Sequence, residues 1–115
     1  MRHDKIIGKE RVIHILKALD AIRAFTEGYG LDDFAIDERG YYACLYQFAV
    51  IGEAIVNVGD EVLAKYDYPW YKVRSFRNFI MHEYHAIDQQ VVWDTIVEIL
   101  PGFQNIMRKI LRDEF

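Results

Sequence analysis

One cysteine, two prolines and no long apolar run stand in 115 residues, and each scarcity removes a class of protein. Cys44, alone, can form no internal disulfide and anchor no multi-cysteine metal site, so its simplest reading is a small hydrophobe buried on a helix. No apolar run approaches the roughly 20 residues that a membrane-crossing helix needs, and Met1-Arg2-His3-Asp4-Lys5 leads into no signal-like apolar core. The expectation is a cytoplasmic chain with no membrane partner. Strict apolar–polar alternation over a strand length is also missing, which argues against a sheet protein. Basic charge is short as well: the formal net charge is -4, the wrong sign for a general nucleic-acid coat. That balance fits a homo-oligomer or a basic protein partner, and it leaves room for a local positive groove where Lys72, Arg74 and Arg77 crowd together.

What the chain does have is apolar residues, 52% of the total, enough for a globular core, and a length that fits one domain over residues 1–115. Their spacing is helical nearly throughout, so the expected fold is all-α. A first helix is predicted from about Gly8 to Glu27, with Val12, Leu16, Leu19 and Ile22 on one face, ended by Gly28-Tyr29-Gly30. The acidic stretch from Leu31 to Asp37 reads as a loop, and Asp37 as the N-cap of a long second helix reaching about Tyr66. Leu45, Phe48, Ala49, Gly52, Val56, Gly59, Leu63 and Tyr66 form its packing stripe, whose small members would admit a second helix closely. That close pairing could lie within the subunit or across a dimer. Pro69 suits the first turn of a third helix. Asp88 would cap a fourth, with Val92, Ile96, Ile99 and Leu100 inward. Pro101-Gly102 should kink or interrupt it before Phe103, Ile106, Met107, Ile110 and Leu111 resume the period.

The run Arg77-Asn78-Phe79-Ile80-Met81-His82-Glu83-Tyr84 carries the chemistry. It gathers a permanently charged, forked guanidinium that matches phosphate oxygens, an imidazole able to give or take a proton near neutral pH, and a phenol. On an unbroken helix five residues turn the chain by about 140°, so Arg77 and His82 would not share a face, whereas Arg77 and Tyr84 would. Convergence needs two symmetry-related helices or a helix end at His82. Tyr84 is equally open to a core role among eight tyrosines. Asn78 could support the site or cap the helix, and Glu53 could orient an imidazole or sit solvated. His85 follows His82 by a spacing that can present two ligands to zinc, but only carboxylates stand nearby as a third, so no metal and no cofactor is expected. His3 and His14 read as surface residues. Trp70, Tyr71 and Phe76 could stack unpaired bases or fill the core.

Around this motif the sequence resembles the HEPN superfamily, and more closely its HepT-like ribonuclease toxins. The shared landmarks are Arg77-Asn78, His82 and Tyr84, Ile51-Gly52-Glu53-Ala54, Tyr68-Pro69-Trp70, Asp88 to Trp93, and Leu100-Pro101, spread over most of residues 41 to 103. Ser75-Phe76 departs from the pattern, since relatives usually carry Gly and Met there. The resemblance implies an antiparallel, up-and-down bundle of four to five helices. It implies a homodimer whose cleft holds a metal-independent endoribonuclease site, with Arg77 and His82 catalytic and Asn78 and Glu53 in support. It implies tRNA or mRNA as substrate and 2′,3′-cyclic phosphate products. It further implies a minimal nucleotidyltransferase antitoxin that attaches AMP to Tyr84. The rival expectations are a non-catalytic helical partner or substrate of such a nucleotidyltransferase, and a plain dimerisation protein without a site.

Overall fold

The computed structural model describes residues 2–115; the side chains of Arg2, His3 and Tyr84 fall outside that description. The surface placement expected for His3 and the modification expected on the Tyr84 side chain therefore lie outside the described residues. The fold is all-α and HEPN-like, and no strand occurs among the described residues. Helix α1 spans Arg2–Thr26, starting earlier than the Gly8 expected from its apolar face. Val12, Leu19 and Ile22 are buried as that face predicts, with Leu16 partly so. Gly28, at φ 75°, ends it in the left-handed region that glycine enters at little cost.

The acidic stretch expected as a loop is instead a short helix, α2, Leu31–Ile36. Two local features account for it. The Asp33 carboxylate accepts a hydrogen bond from the Gly30 N–H at 2.8 Å, tying the first turn. Phe34 drops fully into the core, edge-on to Tyr41 at 5.8 Å and against Trp93 at 5.2 Å. Asp37 caps the next helix, α3, Glu38–Ile55, through the Gly40 N–H as its position predicts.

That helix ends well before the expected Tyr66. Gly59 adopts φ 117°, which no right-handed helix contains, and the chain restarts as α4, Asp60–Leu63. Along the expected packing stripe Leu45, Phe48 and Gly52 are buried and Val56 faces solvent, while Leu63, now on α4, is buried again and Tyr66 packs against the core. Trp70 donates its indole N–H to the Leu63 and Tyr66 carbonyls at 2.9 and 3.3 Å, folding the connection onto α5, Trp70–His82. Pro69 stands one place earlier than expected, at the N-cap. A 3₁₀ turn, Tyr84–Ala86, follows α5.

Asp88 accepts the Gln90 N–H at 2.8 Å and caps α6, Gln89–Asp94, as expected. A π-helical turn, Thr95–Ile99, then carries the chain into α7, Leu100–Glu114. Pro101 thus interrupts the α-helical pattern without stopping the chain, because a widened turn absorbs the missing N–H and the ring. The widening also rotates Ile99 outward, to 52% exposure, against the expectation that it faces in. Beyond it Phe103, Met107 and Ile110 are buried and Ile106 and Leu111 partly so, on the expected period.

Helices α1 and α3 pack along each other at the centre, with α5 on α3 and α7 on α1. Between α5 and the α6–α7 segment an apolar cavity of about 530 Å³ opens, walled by Phe48, Tyr68, Phe76, Val91, Ile99 and Phe103. Phe76 sits 5.1 Å from Phe48 there, so the departure at Phe76 falls on this side of α5, while Arg77 lines a groove on another side.

Candidate functional site

Arg77 is placed by a glycine. Helix α5 crosses α3 at Gly52, where a Cβ would fall 2.5 Å from Arg77 Cγ and closer still to its Cβ. Any side chain at 52 would push the two helices apart, so Gly52 lets the Arg77 stem lie directly on the α3 backbone. The close approach anticipated from the small residues of α3 is thus met within the subunit. One residue along α3, Glu53 reaches the guanidinium: Arg77 Nη2 pairs with Glu53 Oε1, and Arg77 Nη1 donates to Asn78 Oδ1 at 3.0 Å. Arg77 Nε is shielded without an acceptor among the described residues.

Two readings that the sequence left open are narrowed here. Glu53, considered as a partner for an imidazole, is instead the partner of the arginine. Asn78, considered as a helix cap, lies within α5 and steadies its neighbour's guanidinium. The Arg77 side chain is 26% exposed and that of Glu53 61%, so the pair stabilises the fold by at most about 1 kcal/mol. Its consequence is orientation: two of the five guanidinium donors are engaged and the fork is held at the protein surface.

His82 is the last residue of α5, with Glu83 as the C-cap, and it is exposed. The helix end at His82 thus exists, and it removes the unbroken geometry that would have set Tyr84 over Arg77. Arg77 lines a groove of about 520 Å³ between α1, α3 and the end of α5, together with Arg11, His14, Tyr46, Asn57 and Met81. His82 is not among its lining residues. Within one subunit this groove therefore has Arg77 in its wall but not His82.

The basic cluster expected of Lys72, Arg74 and Arg77 does not form one groove either. Lys72 lines the apolar cavity on the other side of α5, and Arg74 pairs with Asp60 at 3.2 Å. The donors beside Arg77 come from α1: Arg11, which the sequence did not single out, and His14, which is exposed as its reading as a surface residue expects. Arg11 and His14 lie one turn apart, a spacing that puts them on one side of α1, but nothing local ties that side to a residue sixty positions away.

Of the aromatic candidates, Trp70 and Phe76 are packing residues, and Tyr71 alone is open, at 66% exposure. His85 approaches Glu83 at 3.8 Å, and no set of three or more His, Cys, Asp or Glu side chains is placed to hold a metal ion among the described residues. Cys44 is fully buried, and desolvation by its apolar surroundings pushes the thiol up to about 11. It is a core residue, as its lone occurrence suggested.

The all-α bundle, with Arg77 mid-helix and His82 at that helix's end, is consistent with the HEPN-like fold that the sequence resemblance implies. A family model described as Ribonuclease HepT-like matches residues 15–110, and the chain belongs to that family. Among curated relatives, "Putative RNase TTE0752" of Caldanaerobacter subterraneus subsp. tengcongensis is 28% identical over 102 residues, covering 88% of this chain and 91% of the relative. "Probable ribonuclease HepT" of Thermococcus cleftensis is 26% identical over 103 residues, covering 89% of this chain and 94% of the relative. No solved structure matches the chain. No helix among the described residues is long and apolar enough to cross a membrane.

Proposed function

We propose that this chain is the toxin of a toxin–antitoxin pair, a metal-independent endoribonuclease that works as a homodimer. The observation that carries the reading is the held guanidinium of Arg77, seated by Gly52, Glu53 and Asn78 at the wall of an open groove, in a chain of the HepT-like ribonuclease family. His82 removes the proton of a ribose 2′-OH, or protonates the leaving 5′-oxygen, and Arg77 stabilises the charge that builds on the phosphorane oxygens. The nucleophile belongs to the substrate, so the imidazole and the guanidinium suffice. The products are a 2′,3′-cyclic phosphate and a 5′-hydroxyl.

The place of His82 outside the lining of the Arg77 groove supports a dimer cleft, where each group meets its counterpart from the partner subunit. Tyr84, two residues past His82 in the 3₁₀ turn, is the acceptor for AMP from a nucleotidyltransferase antitoxin. The added phosphate brings a negative charge beside the motif, where it competes with RNA for Arg77. His82→Ala abolishes cleavage while circular dichroism and melting stay as in the parent. Loss of the fold in that variant would make the histidine structural and sink the assignment.

The same absence of His82 from the groove favours a second reading, a non-catalytic HEPN partner whose role is to bind and be modified by the nucleotidyltransferase. The two part on whether the unmodified, folded protein degrades RNA in chelator.

A further inference from the structure

We propose that the groove beside Arg77 is a subsite for single-stranded RNA, in which Arg11 and His14 hold a phosphate next to the scissile one and Tyr46 stacks on a base. This rests on the ribonuclease reading above and extends its site onto α1, a helix that carries none of the motif.

Three observations support it. First, the groove is continuous with Arg77, which forms part of its wall, and Met81, one turn further along α5, carries that wall toward the end of the helix where His82 stands. A strand with one phosphate at the motif therefore has its neighbouring nucleotide over the groove. Second, the charge inside suits a polyanion. Arg77 is matched by Glu53, whereas neither Arg11 nor His14 has an ion-pair or side-chain hydrogen-bond partner among the described residues. Arg11 and His14 thus present donors to the groove that no carboxylate among the described residues engages, on a chain whose net charge is -4, and on an acidic body such a spot focuses an anion. Third, Tyr46 stands on the same wall 67% exposed, a large flat ring kept in water where core packing would have buried it. Stacking on an unpaired base is the interaction that gives such a ring a partner, and it tolerates any base sequence. Duplex RNA offers no base face to it, so the strand must be single.

The test measures binding of a fluorescein-labelled, single-stranded 2′-O-methyl RNA, which cannot be cleaved through its 2′ position, to the full-length dimer over a range of salt. Arg11→Ala/His14→Ala should weaken binding about tenfold. Arg11→Ala alone should lower the slope of log affinity against log salt by about 0.7, the signature of one lost phosphate contact on a single strand. Tyr46→Ala should weaken binding about tenfold with the slope unchanged, and Tyr46→Phe should keep the parental affinity, because stacking needs the ring and not the hydroxyl. All four side-chain changes are at the surface, so melting temperatures should not move.

Parental affinity and slope in the double variant, in a parent that cleaves RNA, would overturn the subsite and leave the nuclease standing. A parent that neither binds nor cleaves RNA overturns both. A change of oligomeric mass in the double variant, read by light scattering, would mean that the groove seats a second copy of the chain, and would overturn the RNA subsite as well.

Discussion

Gly52→Ala separates the packing of the site from the propensity of its helix. The new methyl would stand 2.5 Å from Arg77 Cγ, and 3.4 Å from its Cα. The obstacle is thus the root of a side chain and the helix behind it, which cannot swing aside as a flexible tip could. Overpacking of this kind costs about 1 to 3 kcal/mol, while removing a helical glycine returns about 1 kcal/mol. The contact with the α5 backbone argues for the upper half of that range, so the net loss is about 1.5 kcal/mol, or roughly 6 °C in melting temperature for a chain of this size. Cleavage should fall further than stability, since a displacement of about 1 Å in a catalytic group can cost about a hundredfold. Gly102 supplies the control: it too is in a helix, and a Cβ there meets nothing within 4 Å. Gly102→Ala should leave stability unchanged or raise it by up to about 1 kcal/mol. Thermal melts of both variants by circular dichroism, with RNA cleavage measured below the transition, decide it. A Gly52→Ala protein that melts at or above the parent and cleaves normally would refute the argument that this glycine seats Arg77.

Other perturbations test other parts of the account. Cys44, buried with its thiol raised to about 11, should resist thiol reagents at pH 8 in the native protein and react once denaturant unfolds it; rapid native labelling would contradict its place in the core. The Tyr29 hydroxyl donates to Asp37 Oδ2 at 2.7 Å and the Gly40 N–H to Oδ1 at 2.9 Å, and together they hold the Asp37 carboxyl below its usual range. A lowered folded-state pKa contributes stability above about pH 4 that is lost as pH falls through the folded value, so Tyr29→Phe should raise the midpoint of acid unfolding, and an unmoved midpoint would discount the bond. Mixing Arg77→Ala with His82→Ala subunits should restore cleavage in the heterodimer, because one cleft then holds an intact arginine from one subunit and an intact histidine from the other. Two inactive proteins that stay inactive after verified subunit exchange would put both groups in one subunit.

Much of this architecture could be read from local pattern, and the failures share a cause. Gly28 and Asp88 were legible as a helix stop and a helix start because their effect is on their own backbone. Gly52 and Gly59 look alike in the sequence, yet one packs under Arg77 in a continuous helix and the other turns the chain at φ 117°. What distinguishes them is the helix opposite, which spacing does not report. The short α2 was missed because its six residues carry one core anchor, Phe34, too few to display a period. Ile99 was placed inward because a heptad-like count assumes 3.6 residues per turn, and the π-helical turn at Thr95–Ile99 breaks that count.

The site followed the same rule. Arg77, His82 and Tyr84 stood out as a local motif, and Gly52-Glu53 as a second one. That Glu53 would meet the arginine and not a histidine depends on where α5 crosses α3. Arg11, His14 and Tyr46 carry no motif at all; only the assembled bundle sets them beside Arg77.

The most direct measurement of the central claim is cleavage of a mixed RNA pool containing tRNA by the purified protein in EDTA, beside the Arg77→Ala and His82→Ala proteins. Mass spectrometry on the same samples establishes whether Tyr84 carries AMP. The account predicts that unmodified parent alone degrades the pool and leaves 2′,3′-cyclic phosphate ends. A folded, unmodified dimer that leaves the RNA intact, or an Arg77→Ala or His82→Ala protein that still cuts it, would contradict the account.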